Sequence, residues 1–155
     1  MIKEYIITQK DDNRPELTEK YCFDYEQNEY NGTEIIYLLD EIYHLSTLES
    51  ESVYLVSMDY YKYPLAFYQV SLGDYKSCNM YNRTVALFTL LTGARSFLVV
   101  HNHPDCSYRP SNEDVANKYV LETLANFLEI GFVGSFVISR GGWCEVGKDK
   151  LEEWI

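Results

Sequence analysis

Ser96-Phe97-Leu98-Val99-Val100-His101-Asn102-His103-Pro104 is the stretch that decides the fold. Phe97–Val100 is a short, unbroken apolar run, the pattern of a buried strand. His101 and His103 stand where that strand ends. Side chains alternate across a strand, so residues two apart point to one side and both imidazoles can converge on one ion. Pro104 closes the strand and removes a backbone donor just beyond it.

Working outward, a polar loop over Asn102–Pro110 leads to an amphipathic helix from Ser111 to about Glu129. Its inward face is expected at Val115, Tyr119, Leu121, Leu124, Phe127 and Leu128, with Gly131 as its terminator. Phe132–Ser139 reads as a further strand, Gly141-Gly142 as a hairpin turn and Trp143–Val146 as its return. Upstream, Val53–Met58 and Leu65–Leu72 read as strands joined by a turn at Asp59–Lys62, broken afterwards by Gly73-Asp74. Lys76–Tyr81 is a candidate third strand, and Asn82 a cap for a helix from Arg83 to about Leu91, ended by Gly93. Ile35, Ile36, Leu39, Ile42 and Tyr43 recur at helical spacing, and Asn31 with Glu34 resembles a capping box. Residues 1–32 are polar and hard to read, broken at Asp11–Pro15 and Asn28–Gly32, with a short strand expected near Glu4–Thr8. Hairpins followed by helix, strand, helix and strand describe a mixed β-sheet flanked by helices, an α/β chain of one domain.

Composition narrows the function. The 155 residues carry 13 Lys+Arg against 24 Asp+Glu, a net charge of −11, which disfavours direct binding to a phosphate backbone. With 46% hydrophobic residues the chain can bury a core without disulfides. Its four cysteines form no C-x-x-C pair and read as thiols of a reduced compartment. The opening segment is not expected to act as a signal peptide, and no apolar run approaches a membrane span, so a cytoplasmic location is expected. The 15 tyrosines, clustered at Tyr60-Tyr61-Lys62-Tyr63, are either a contact surface or half-buried strand and turn residues.

Chemistry concentrates at His101-x-His103-Pro104-x6-Ser111-x-x-Asp114. Asp114 lies one turn into the helix, where its carboxylate can face the strand end. Two imidazoles and one carboxylate are an open zinc set, with a fourth position left for water. Ser111 is equally an N-cap for the helix. A pair of histidines at a strand end can also be ordinary surface residues, and the full spacing is what favours a Zn2+ site.

This pattern resembles the JAMM signature of the JAB/MPN metalloproteases. Val99-Val100-His101-Asn102-His103-Pro104 followed by Pro110–Asp114 is most similar to the RadC-like branch. Met58-Asp59 matches the strand end that precedes the signature there, and the branch's glutamate falls at Glu51. The resemblance runs from about Thr33 to Val146, and residues 33–155 are taken as the domain. It implies a JAB/MPN (cytidine-deaminase-like) architecture in which His101, His103 and Asp114 hold zinc. It further implies Glu51 as general base, Ser111 as the hydrogen-bond donor to a developing oxyanion, and a peptide or protein substrate. Glu49 is the competitor for the base. Two departures stand out: Asp105-Cys106 replaces the family's Ser-Gly, and an aspartate common near the last strand is missing around Gly134-Ser135. Cys106 is read as a fourth ligand, a redox handle or an idle loop thiol. Two functions compete: a zinc-dependent hydrolase of amide or isopeptide bonds, and a catalytically silent binding or scaffold module associated with DNA-repair or mobile-element functions.

Overall fold

The computed structural model describes residues 1–25, 32–70, 78–148 and 151–153. Among these, eight strands form one sheet in the order β2-β1-β4-β3-β5-β6-β7-β8. The strands are β1 (Ile2–Gln9), β2 (Pro15–Phe23), β3 (Val53–Met58), β4 (Pro64–Val70), β5 (Ser96–Asn102), β6 (Gly131–Ser139), β7 (Gly142–Glu145) and β8 (Leu151–Glu153). The helices are α1 (Gly32–Tyr43), α2 (Cys78–Leu91) and α3 (Asn112–Leu128). β5 is central: it pairs antiparallel with β3 and parallel with β6, the crossover being α3. The mixed, helix-flanked sheet is the expected architecture.

Alternation along β3 and β5 builds a core on each face of the sheet. Tyr54, Val56, Met58, Leu98 and Val100 pack with Ile35, Ile36 and Leu39 of α1. Val53, Leu55, Phe97 and Val99 pack with Val85 and Phe88 of α2 and with Leu121 and Ala125 of α3. His101 continues the second set, so period-two alternation sends it toward α3 and Asn102 to the opposite side.

Several local expectations are corrected. Cys78–Tyr81 are helical, not a strand, and Asn82 lies inside α2 rather than capping it. Strand propensity over such a short run is a weak prior that tertiary context overrides. The helix does end at Leu91, with Gly93 left-handed at φ 70°. The capping pair's Asn31, along with Ser71–Asp74 and Lys76, falls outside the described residues. The inward face of α3 runs through Asp114, Asn117, Leu121 and Ala125, whereas Tyr119 is 60% and Phe127 84% exposed. At roughly 100° per residue, neither aromatic shares the stripe defined by Leu121. Glu129, not a glycine, takes the left-handed position after α3, at φ 57°. Gly131 already belongs to β6, where a Cβ would lie 3.2 Å from that of Ser96.

Near the N-terminus β1 is longer than expected, and β2 pairs beside it. Pro15, taken above for a breaker, begins β2, a position that loses no interior ladder bond. β1 then joins the sheet through a parallel pairing with β4 at Lys3↔Ala66 and Glu4↔Phe67. No described helix is long and apolar enough to cross a membrane.

Candidate metal centre

The centre is built where β5 runs out beside the start of α3. His101, wholly buried, pairs with Val53 of β3 and Val137 of β6, so the middle of the sheet fixes its backbone. His103 lies just past the strand, its N–H donating to the Ile138 carbonyl at 2.9 Å. Its Nδ1 stands 2.9 Å from the Ser107 carbonyl oxygen. A carbonyl only accepts, so Nδ1 carries the proton and a neutral His103 presents the lone pair of Nε2 inward.

Asp114 reaches the same point from α3. Ser111 Oγ accepts the Asp114 N–H at 3.1 Å, and Asp114 Oδ2 accepts the Ser111 N–H at 2.7 Å, a reciprocal capping box. That box holds the carboxylate, only 3% exposed, toward the strand end. Asp114 Oδ1 lies 3.0 Å from His101 Nε2, and Asp114 Oδ2 3.3 Å from His103 Nε2. The two Nε2 atoms are themselves 3.2 Å apart. A carboxylate facing the lone pair of a neutral imidazole is repulsive unless a proton or a cation lies between them. The pKa of His103 is accordingly raised, chiefly by its hydrogen bond to Asp114 and against the lowering effect of burial.

Glu51 arrives from the segment before β3. With His101 and His103 it forms a group that could hold a metal ion, the three ligand atoms lying within 4.8 Å of one another. Glu49 is exposed and stands outside that group. Glu51, His103, Ser111 and Asp114 line one cleft of about 390 Å³, with Pro104, Asp105 and Glu113 at its wall. Cys106 is exposed and left-handed at φ 66°, and its carbonyl accepts the Ser139 hydroxyl. It does not join the cluster. At the other family departure, a Cβ on Gly134 would press on the Phe136 ring at 3.0 Å and on Glu145 Oε1 at 3.1 Å.

The sequence reading assigns Asn102 only to the loop, yet it is buried and bonded to the Glu51 segment. Its Oδ1 accepts the Ser52 N–H at 2.6 Å, and its Nδ2 donates to the Ser50 carbonyl at 3.0 Å. The one sequence signal was an amide residue on the strand face opposite two candidate ligands. The Ser107 carbonyl, a backbone group, had none.

A mixed sheet between helices, with a strand-end His-x-His pair meeting a helix-start carboxylate over one cleft, defines a JAB/MPN-type α/β domain. The chain belongs to the RadC-like JAB domain family, whose model matches residues 33–150. It is also similar to a UPF0758 protein from Clostridium acetobutylicum, 25% identical over 107 residues, covering 69% of this chain and 47% of that relative. The chain thus spans about half the length of the curated relative it matches.

Proposed function

We propose that this chain is a zinc-dependent hydrolase of amide or isopeptide bonds. The observation that carries the proposal is the convergence, beside Glu51, of two imidazole nitrogens 3.2 Å apart on the Asp114 carboxylate, one oxygen 3.0 Å from His101 and the other 3.3 Å from His103. Ligands about 2.0–2.1 Å from a tetrahedral zinc stand roughly 3.3–3.4 Å from one another, so the donor set fits that ion. His101, His103 and Asp114 would hold it. When bound, zinc supplies Lewis acidity, polarising a carbonyl and bringing the pKa of water toward ~7.

The chain's own groups divide the remaining work. The Glu51 carboxylate takes a proton from the attacking water and passes it to the departing amine nitrogen as the carbon–nitrogen bond breaks. Ser111 serves twice: its oxygen accepts the Asp114 N–H as a helix cap, which leaves its hydroxyl proton to donate to the carbonyl oxygen as charge builds there. The Ser107 carbonyl holds His103 in the tautomer that points Nε2 inward. Acidic residues around the cleft agree with a peptide substrate rather than a phosphodiester.

The test is zinc content together with hydrolysis of a peptide or isopeptide library by wild type and Glu51→Gln. Binding of about one zinc per chain and hydrolysis that Glu51→Gln loses while keeping the metal are expected. Full activity in metal-stripped wild type would refute the proposal. Zinc binding without hydrolysis of any amide would favour a silent binding module.

A further inference from the structure

Glu51 follows an irregular segment, with no helix or strand between the turn at Leu45–Thr47 and Val53 to fix it. Asn102 supplies what regular structure does not. It is 1% exposed, and its side chain bonds the residues on either side of Glu51: Ser52 N–H at 2.6 Å and Ser50 C=O at 3.0 Å. Its own backbone N–H donates to the Ser52 carbonyl at 3.2 Å. We propose that Asn102 is the positioning residue that sets the reach of Glu51 to the two imidazoles. This rests on the reading of Glu51 as the proton-transfer group.

The chemistry of the amide is what the position uses. A carboxamide offers one acceptor and a donor in one plane, as a peptide group does, and so completes a ladder that the chain itself leaves open. An aspartate has the acceptor but puts a second oxygen against the Ser50 carbonyl. An alanine leaves the buried Ser52 N–H and the part-buried Ser50 C=O without this partner. His101, Asn102 and His103 are consecutive, and alternation sends the imidazoles to one side and the carboxamide to the other. One tripeptide therefore fixes both ends of the Glu51-to-imidazole distance. Because a misplacement of ~1 Å costs on the order of 10²-fold in rate, this clamp acts on turnover rather than on metal retention.

The experiment uses the full chain as wild type, Asn102→Ala, Asn102→Asp, Glu51→Gln and the Asn102→Ala/Glu51→Gln pair. Zinc-loaded protein is read for kcat and KM, and cobalt-loaded protein for its visible absorption spectrum. Asn102→Ala should keep its zinc, lose on the order of 10²-fold in kcat with KM unchanged, and add nothing to the loss in Glu51→Gln. Its cobalt spectrum should depart from wild type in the same direction as that of Glu51→Gln. Asn102→Asp should fall between, and it carries the same comparison if Asn102→Ala does not fold. Wild-type kcat and cobalt spectrum in the Asn102 variants, beside a defective Glu51→Gln, would overturn this proposal alone. An Asn102 loss that adds in full to that of Glu51→Gln would also overturn it. Wild-type turnover and spectrum in Glu51→Gln would remove the reading of Glu51, and this proposal with it.

Discussion

Glu4 in β1 and Asp114 in the first turn of α3 are both buried acids, 1% and 3% exposed, yet their neighbours differ in kind. Glu4 Oε1 faces the Lys20 ammonium at 3.2 Å, and Oε2 accepts the Tyr43 hydroxyl at 2.7 Å. A cation and a hydroxyl from elsewhere in the chain balance that carboxylate, and they tie the β1–β2 hairpin to α1. Asp114 faces two imidazoles and one backbone N–H. Imidazole is a cation only when protonated, and His103 is held in the tautomer that turns a lone pair toward the carboxylate. Charge balance at Glu4 is thus built in, whereas at Asp114 it is completed by a proton or by a metal ion. The same burial makes one acid a fastening and the other a candidate metal ligand.

The largest expected effect follows from that contrast. Asp114→Asn should weaken zinc binding by at least ~100-fold, the upper end of what removing a mere supporting partner does. Glu4→Gln should leave zinc affinity at the wild-type value. Zinc at about 100 times its dissociation constant should stabilise metal-stripped wild type by about 2.7 kcal/mol and Asp114→Asn hardly at all. Isothermal titration and thermal melts with and without zinc measure both. Equal zinc affinity in Asp114→Asn and Glu4→Gln would erase the distinction.

How much of this was legible in the sequence tracks how local each cause is. His101, His103 and Asp114 could be found because a strand's period of two and a helix's first turn place them with little help from the rest of the chain. The central strands were legible for the same reason, as unbroken apolar runs. Glu51 lacks a local cause: its place is set by Asn102, fifty-one residues further on, and only resemblance pointed to it. The Glu4 network was invisible because its members come from β1, β2 and α1, and a lone acid in a polar segment looks solvated. β2 was missed because an edge strand with most of its residues exposed shows no apolar alternation. The misplaced face of α3 has the opposite origin. Tyr119 and Phe127 are apolar enough to read as core, but they do not lie on the sheet-facing stripe.

The Glu4 side of the contrast can be sharpened by Tyr43→Phe, which removes one hydroxyl and leaves a buried carboxylate oxygen without it. The expected loss is about 1–3 kcal/mol in urea unfolding, with zinc affinity unchanged. A Tyr43→Phe protein of wild-type stability would mean that Lys20 alone suffices for Glu4.

A smaller effect probes the Asp114 side. Ser111→Ala deletes the oxygen that accepts the Asp114 N–H and should lower stability by about 1 kcal/mol. Asp114 Oδ2 keeps its bond from the Ser111 backbone N–H, so zinc binding should survive. Loss of zinc in Ser111→Ala, read by the same titration, would show that the cap, and not the carboxylate alone, holds the ion.

The smallest effect is a pH dependence confined to the Glu4 region. Burial first, and then the hydrogen bond to Glu4, push the pKa of Tyr43 upward. Tyr54, stacked on Tyr43 at 4.2 Å between ring centroids, is shifted the same way by burial and then by the Glu4 charge. In the unfolded chain these phenols ionise near pH ~10. Above that pH the unfolded state binds fewer protons than the folded one, so stability falls as pH rises and is intact below it. At the unfolded pKa half the phenols are ionised, and each shifted tyrosine contributes about 0.4 kcal/mol of that loss. The difference between wild type and Tyr43→Phe carries the test, not either curve alone. Urea unfolding at pH 8 to 10.5 should show the wild-type curve falling more steeply than that of Tyr43→Phe. Parallel curves would mean that Tyr43 ionises as easily in the folded protein as in the unfolded chain, and that the Glu4 carboxylate does not press on it.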